Sequence, residues 1–202
     1  MKIPSNISKI IPKKYKLILK EINTKNISFE KFHGKTILTW CTKHCKHSKV
    51  CFHCPNKFNN FNKDKKKLIK SFKKGILVLM RLPSSETAGP EVAKKQLSTP
   101  SRKILDKILL KLKNNLKNKE YNRFVLLGAG PCKSSYCFNI PCAVLKGKKC
   151  KKPNLAHSSM EACGINVYKT VTNCKEIIYF ITKYTKPEKV PYGLKVGLVL
   201  FE

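Results

Sequence analysis

The spacing of apolar residues along the chain predicts three amphipathic helices. Apolar side chains recur every three or four positions over residues 12–22, 62–73 and 100–117, a spacing that puts them on one face of a helix. The first of these stretches is rich in lysine. We therefore expect residues 1–34 to form a basic helical extension in front of the rest of the chain.

Shorter apolar runs predict four strands, at residues 35–40, 76–82, 123–127 and 194–201. The run at 76–82 is almost continuously apolar, which is typical of a strand buried on both faces. The turn residues at 83–90 predict a loop. Because buried strands alternate with helices, we expect an α/β or α+β fold: a single domain over residues 1–202, with a mixed sheet, flanking helices and two cysteine-rich metal-binding loops.

No apolar run approaches the roughly 20 residues of a membrane span, and the first residues have no apolar signal-peptide core. These features predict a cytoplasmic protein without a membrane span. Structural disulfides are rare in that reducing compartment outside hyperthermophiles. The ten cysteines of the chain therefore indicate metal binding or redox chemistry.

The formal net charge of +32 makes nucleic acid or another anionic surface a candidate partner. Base readout and phosphate clamping favour arginine, yet Arg81, Arg102 and Arg123 are the only arginines among the 43 basic residues. We expect lysine runs such as those at 63–67 and 148–152 to be solvated. Binding of nucleic acid through the lysine-rich surface is therefore a prediction that the composition does not favour.

The first cysteine group places four thiols within fourteen residues, in the pattern Cys41-x3-Cys45-x5-Cys51-x2-Cys54. So short a loop gathers the thiols at little cost in loop-closure entropy. The spacing fits a four-thiolate zinc site or an iron–sulfur cluster, and ferredoxin-type loops also carry a proline after a ligating cysteine. The same loop contains three histidines, His44, His47 and His53. These histidines could join the cysteines as ligands of a mixed zinc site, although we expect each to be a polar loop residue.

The second cysteine group has wider intervals, in the pattern Cys132-x4-Cys137-x4-Cys142-x7-Cys150. These intervals exceed the paired spacing of a zinc ribbon and suit a cubane cluster, which is wider than a single ion. The alternative is that one of the two groups binds a zinc ion that only stabilises the fold. The pattern also leaves open whether the two groups bind metal separately or share one site.

A glycine-containing segment, Gly128-Ala129-Gly130, follows the predicted strand at 123–127. It lacks the third glycine of the dinucleotide fingerprint and the Gly-Lys-Ser/Thr of a phosphate loop. We expect Gly128 and Gly130 to form a tight turn that brings the backbone close to the cofactor. Amide N–H groups there would donate to the sulfurs of a cluster and tune its reduction potential.

Four further residues are notable for their neighbours. Trp40 precedes Cys41 and is expected to shield the site from water. Cys163 and Cys174 lie among apolar residues, and we expect both to be small core residues. Glu161 either lies in the first turn of a helix, where a carboxylate is favourable, or acts as an acid/base near the metal.

The cysteine groups share their order and context with a known family. The matching residues are Trp40 with the first group, the run from Gly128 to Cys132 with the second, and the motif Ser-Met-Glu-Ala-Cys-Gly-Ile-Asn-Val-Tyr-Lys-Thr at 159–170. Over most of residues 35–200 the chain resembles an uncharacterised prokaryotic family of predicted metal-binding proteins, the domain of unknown function 2284. The resemblance implies a metal-binding fold and no known reaction.

Eight clustered thiols lead to the hypothesis of an iron–sulfur protein. It would carry one or two 4Fe–4S clusters and serve electron transfer, redox sensing or donation to a redox partner protein. The alternative is a zinc-stabilised, basic nucleic-acid-binding module. A metal-dependent enzyme would need an open coordination position, and the sequence assigns no reaction.

Overall fold

A five-stranded mixed sheet forms the centre of the molecule. The computed structural model describes residues 1–45, 50–55, 61–90, 92, 100–137, 140–182 and 184–202. The strands are β1 (Lys16–Asn23), β2 (Lys74–Leu82), β3 (Phe124–Gly128), β4 (Ser158–Ser159) and β5 (Gly193–Phe201). They lie in the order β1-β2-β5-β3-β4, and only the short β3–β4 pair is parallel. The predicted mixed α/β architecture is confirmed.

Strand β2 lies inside the sheet, paired along its length with β1 on one side and β5 on the other. All but two of its nine residues are buried, because apolar side chains cover both faces of the sheet. The predicted strands at 76–82, 123–127 and 194–201 are confirmed as parts of β2, β3 and β5.

The described helices flank this sheet. They are α1 (Ser5–Ser8), α2 (Ile37–His44), α3 (Phe61–Ser71), α4 (Pro100–Lys117), α5 (Cys132–Tyr136) and α6 (Val167–Asn173). The helices predicted at 62–73 and 100–117 are confirmed as α3 and α4. Among the described residues, no helix combines the length and the apolar character that crossing a membrane requires.

Each face of the sheet has its own hydrophobic core. Helix α4 covers one face with side chains three or four positions apart, at Leu105, Ile108, Leu109, Leu112 and Leu116. Helix α3, the segment around Met160 and helix α6 cover the other face. Cys163 and Cys174 lie in this second core at 2% and 4% exposure, so their predicted place in the core is confirmed.

Two predicted elements are wrong. Residues 12–22 do not form a helix, because Lys16–Asn23 is strand β1 and pairs with β2. The run from Leu17 to Leu19 suits a half-buried edge strand as well as a helix, and only its partner decides. Residues 35–40 do not form a strand, because α2 begins after Thr36, whose hydroxyl accepts from the Thr39 N–H at 3.2 Å.

The burial pattern of β1 predicts different effects from two of its positions. Leu19 is buried against the α4 face, whereas Glu21 is exposed. We expect Leu19→Ala to lower the free energy of unfolding by about 2–5 kcal/mol. The control Glu21→Ala should change it by less than about 0.5 kcal/mol. Urea denaturation measures both values, and equal effects of the two substitutions would contradict the burial of Leu19 against α4.

Candidate metal centre

Cysteine thiols from both loops come together at one place. Cys41 lies in the last turn of α2, and its thiol is hydrogen-bonded to that of Cys45. Cys51 is hydrogen-bonded to Cys54 of the same loop and to Cys132, the first residue of α5. The thiol of Cys54 is also within electrostatic reach of Cys41 and Cys45. These five side chains are called the five-thiol group below.

Hydrogen bonds between these thiols divide them into donors and an acceptor. Donation from Cys132 and Cys54 lowers the pKa of Cys51 far below its ordinary value. The same hydrogen bonds, together with burial, raise the pKa of Cys132 and of Cys54. Neighbouring thiolates repel one another, so the group cannot ionise fully by itself. A bound cation removes that obstacle, because metal ligation requires thiolates and displaces their protons.

Backbone amides also point at the sulfurs. The N–H groups of His53 and Lys133 donate to the Cys51 sulfur, and the N–H of His157 donates to that of Cys132. In return, the Cys132 N–H donates to the His157 carbonyl oxygen at 3.3 Å. Such donors stabilise sulfur-bound negative charge and tune metal–thiolate sites. The sequence predicts amide donors here but associates them with Gly128 and Gly130, not with these three residues.

Lys65 is a site residue that the sequence analysis missed. Its ammonium group donates to the Ser158 hydroxyl and is within electrostatic reach of Cys163, Cys54 and Cys51. Burial lowers the pKa of Lys65 to about 8, against the opposing effect of negative charge on these sulfurs. The expectation that the lysine run at 63–67 is solvated is therefore wrong for Lys65.

The signal for Lys65 was its position on α3. Lys65, Ile69 and Phe72 are spaced four and three residues apart, which places them on one side of a helix. Ile69 and Phe72 are each 1% exposed in the second core, whereas Lys66 and Lys67 are exposed. Helical spacing from two apolar residues thus picks out Lys65 among the three lysines of this run whose side chains the structure describes.

The other cysteines of the second loop differ in their relation to the five-thiol group. Cys137 is within electrostatic reach of Cys132, so it lies next to the group. Cys142 and Cys150 are half-buried, and the Cys150 sulfur accepts from the Lys152 N–H at 3.4 Å. Within the described ranges, no recorded interaction joins Cys142 or Cys150 to the group. A metal-binding role for these three cysteines stays a prediction.

The loop histidines have separate surroundings. The His44 ring packs on Trp40 with ring centres 4.9 Å apart. Burial, and then the charge of Lys65, lower the pKa of His53, which keeps its ring neutral. His47 lies outside the described residues. The indole N–H of Trp40 donates to the Phe32 carbonyl oxygen at 3.2 Å.

Gly128 makes room for a buried ion pair beside the thiols. His157 Nε2 lies 3.3 Å from the Asp106 carboxylate, and the two side chains are 9% and 2% exposed. A methyl group on Gly128 would lie 2.7 Å from His157 Nε2 and 2.9 Å from Asp106 Oδ1. Burial alone would lower the pKa of His157, but the neighbouring Asp106 carboxylate raises it. The sequence pattern did not identify Asp106 or His157 as site residues.

Gly130 has a similar role for Arg102. Its φ of +153° is in the region that favours glycine, and a Cβ there would lie 3.0–3.3 Å from the Arg102 side chain. The two glycines thus give space to buried charged side chains of α4 and of the loop before β4. Their predicted role in binding a cofactor stays a prediction.

The chemistry of the donor set fits a metal centre held by thiolates, but the sulfurs are not gathered around one point. Buried sulfurs that already share protons, amide donors and a buried ammonium group suit soft thiolate ligation. Among the described residues, no three Cys, His, Asp or Glu side chains are placed so that together they could hold a metal ion. The thiols form a hydrogen-bonded pair, Cys41 with Cys45, and a trio around Cys51, so a bound metal would have to draw them together.

Comparison with known proteins agrees with this chemistry. The model of a family described as "Predicted metal-binding protein (DUF2284)" matches residues 20–201. Comparisons with curated proteins and with solved structures gave no match.

The tight fit around Gly128 gives a stability prediction. Gly128→Ala should lower the free energy of unfolding by about 1–3 kcal/mol, because the new methyl group overlaps the Asp106–His157 pair. In the double variant with His157→Ala, the total loss should be smaller than the sum of the two single losses, since removal of the imidazole makes room. Denaturant unfolding of the four proteins measures this coupling. Strictly additive losses would contradict the crowding.

Proposed function

This chain belongs to the family of predicted metal-binding proteins (DUF2284), and from that premise we propose that its five-thiol group holds an iron–sulfur cluster of the 4Fe–4S type. The cluster would serve electron transfer or the redox support of a partner protein. The observation that carries the proposal is the meeting of Cys51, from the first loop, with Cys132, from the second.

The supply of thiols by two separate loops favours a cluster over a structural zinc ion. A structural zinc ion and a 4Fe–4S cubane each take four ligands, so the fifth thiol of the group does not choose between them. A cubane spreads its four ligands over a wider volume, so it suits sulfurs supplied by two loops from different parts of the fold. A zinc-stabilised module that binds nucleic acid stays the alternative prediction.

The chain's own residues fit a redox role. Cys51 and Cys54 are each 1% exposed, and burial of this kind excludes water from a centre that changes charge. The amides of His53, Lys133 and His157 donate to the sulfurs, and Lys65 adds a positive charge. These groups favour the more negative, reduced state and so raise a reduction potential.

Metal analysis of cysteine variants tests the proposal. Protein purified without oxygen should contain about four irons and four acid-labile sulfides per chain. Cys51→Ser and Cys132→Ser should each lose most of the iron, because both thiols belong to one shared group. Cys150→Ser should keep it, since that thiol lies outside the group. Iron, zinc and sulfide are measured on all four proteins, with circular dichroism to verify folding.

Two results would contradict this outcome. Stoichiometric zinc without sulfide, also after anaerobic reconstitution, would replace the cluster with a zinc site. Equal iron loss in Cys150→Ser and Cys132→Ser would show that the second loop holds a centre of its own.

Lys65 gives a redox prediction. Lys65→Met removes a buried positive charge next to the thiols while keeping a side chain of similar length, so the reduced state loses attraction. We expect the reduction potential to fall by about 40 mV, the equivalent of about 1 kcal/mol for one electron. Lys67→Met, an exposed lysine of the same helix, is the matched control and should shift it far less. Potentiometric titration measures both, and equal shifts would show that Lys65 acts only through net charge.

A further inference from the structure

A cavity of about 550 Å³ lies against the five-thiol group. Cys41 and Cys45 are part of its wall, together with the turn that follows β3 and the start of α6. Its volume is within the range of small-molecule binding sites, about 300–1,000 Å³. A molecule in this cavity would therefore lie directly beside the thiols.

Aromatic rings form one side of the cavity. Phe32, Trp40 and Tyr168 line it, and the rings of Phe32 and Tyr168 stack with their centres 5.4 Å apart and their planes at 20°. Trp40 meets Phe32 edge to face at 6.4 Å. Walls of this kind favour a planar ligand, because flat rings stack against them with large contact area.

Arg102 gives the cavity a cationic group. Its Nε atom is buried and has no hydrogen-bond partner among the described residues, and its side chain packs against the backbone at Gly130. A guanidinium group stays charged in proteins and matches the geometry of a carboxylate. A buried donor without a partner is costly, so an anionic oxygen beside it would be stabilising.

Two carboxylates act on Arg102, the buried Asp106 and the exposed Glu161. Asp106 also lies 3.3 Å from His157 Nε2, and solvent screens Glu161. Burial lowers the pKa of Arg102 against the charges of these carboxylates. The guanidinium charge is thus partly balanced, but its Nε–H still lacks a hydrogen-bond partner among the described residues.

Tyr168 contributes its ring to the same wall, whereas its hydroxyl oxygen accepts from the backbone N–H of Ile181. The exposed carboxylate of Glu161 also lines the cavity, where solvent screens its charge. The cavity therefore presents a flat aromatic wall, the cation of Arg102 and one screened carboxylate. A desolvated cation beside an aromatic wall favours an anion with a ring over a purely apolar molecule.

We infer that this cavity binds a small organic carboxylate with a planar ring, whose carboxylate is held by Arg102 and whose ring lies against Phe32, Trp40 and Tyr168. Its position beside a metal centre rests on the function proposed above, whereas the carboxylate site itself rests on the cavity and Arg102. The site would place a small organic ligand in contact with the redox centre.

The test uses benzoate as the probe and benzamide as its neutral counterpart of the same shape. Isothermal titration calorimetry of the full chain should show saturable benzoate binding and at least about tenfold weaker benzamide binding. Arg102→Gln should weaken benzoate binding at least about tenfold, and Arg102→Lys should restore part of it. Trp40 is the only tryptophan of the chain, so its fluorescence reports whether benzoate enters this cavity.

Lys103→Gln is the matched control. It removes the same charge from the next, exposed position of α4, so it corrects for general attraction of anions to a chain of charge +32. Its benzoate affinity should equal that of the original protein. Equal weakening by Lys103→Gln and Arg102→Gln, equal affinity for benzoate and benzamide, or no saturable binding at millimolar benzoate would overturn the inference.

The experiment separates this inference from the proposed function. Iron and sulfide are measured on the same preparations, and the benzoate titration is repeated after a chelator has removed metal. Arg102-dependent binding without any iron supports the carboxylate site and rejects the cluster. Bound iron without benzoate binding rejects the carboxylate site alone. The benzoate-to-benzamide ratio needs no variant, so it decides even if Arg102→Gln fails to fold.

Discussion

The short parallel pairing of β3 with β4 is the contact on which the site depends. Leu127 and Gly128 pair with Ser158 and Ser159, and the Met160 N–H donates to the Gly128 carbonyl oxygen at 3.3 Å. Because these two strands run parallel, the segments that follow them leave the same end of the pair, and Ser158 is held beside Leu127. The chain turns back after β3, so that the Cys132 N–H donates to the His157 carbonyl oxygen, and the Ser158 hydroxyl accepts from Lys65.

The large net positive charge of the chain does not by itself describe the electrostatics of the site. Most lysines are exposed on the described helices and strands, where solvent and salt screen them. Lys65 and Arg102 differ because their surroundings are desolvated, as the lowered pKa of each shows. One lies beside the thiols and the other beside the cavity. A few buried cations therefore shape the electrostatics of the site more than the net charge does.

The secondary structure could be read from the sequence wherever one element supplied its own evidence. Helix α4 shows a long helical repeat of leucine and isoleucine, and β2 shows a continuous apolar run. The sequence pattern at residues 16–23 and 37–44 did not decide between a strand and a helix. A run of three apolar residues fits a strand or a helix, and the choice depends on pairing with β2 or on capping by Thr36.

The sequence by itself determined the family of this protein and the kind of site to expect. Clustered cysteines at short spacing indicate a metal site, and their order identifies the family, because both are properties of neighbours along the chain. Only the tertiary structure decided which side chains share the site. Cys132 meets Cys51, Lys65 turns inward, and Asp106 and Arg102 fill the space left by Gly128 and Gly130. These contacts join residues far apart in the chain, and they exist only once the sheet has brought its loops to one edge.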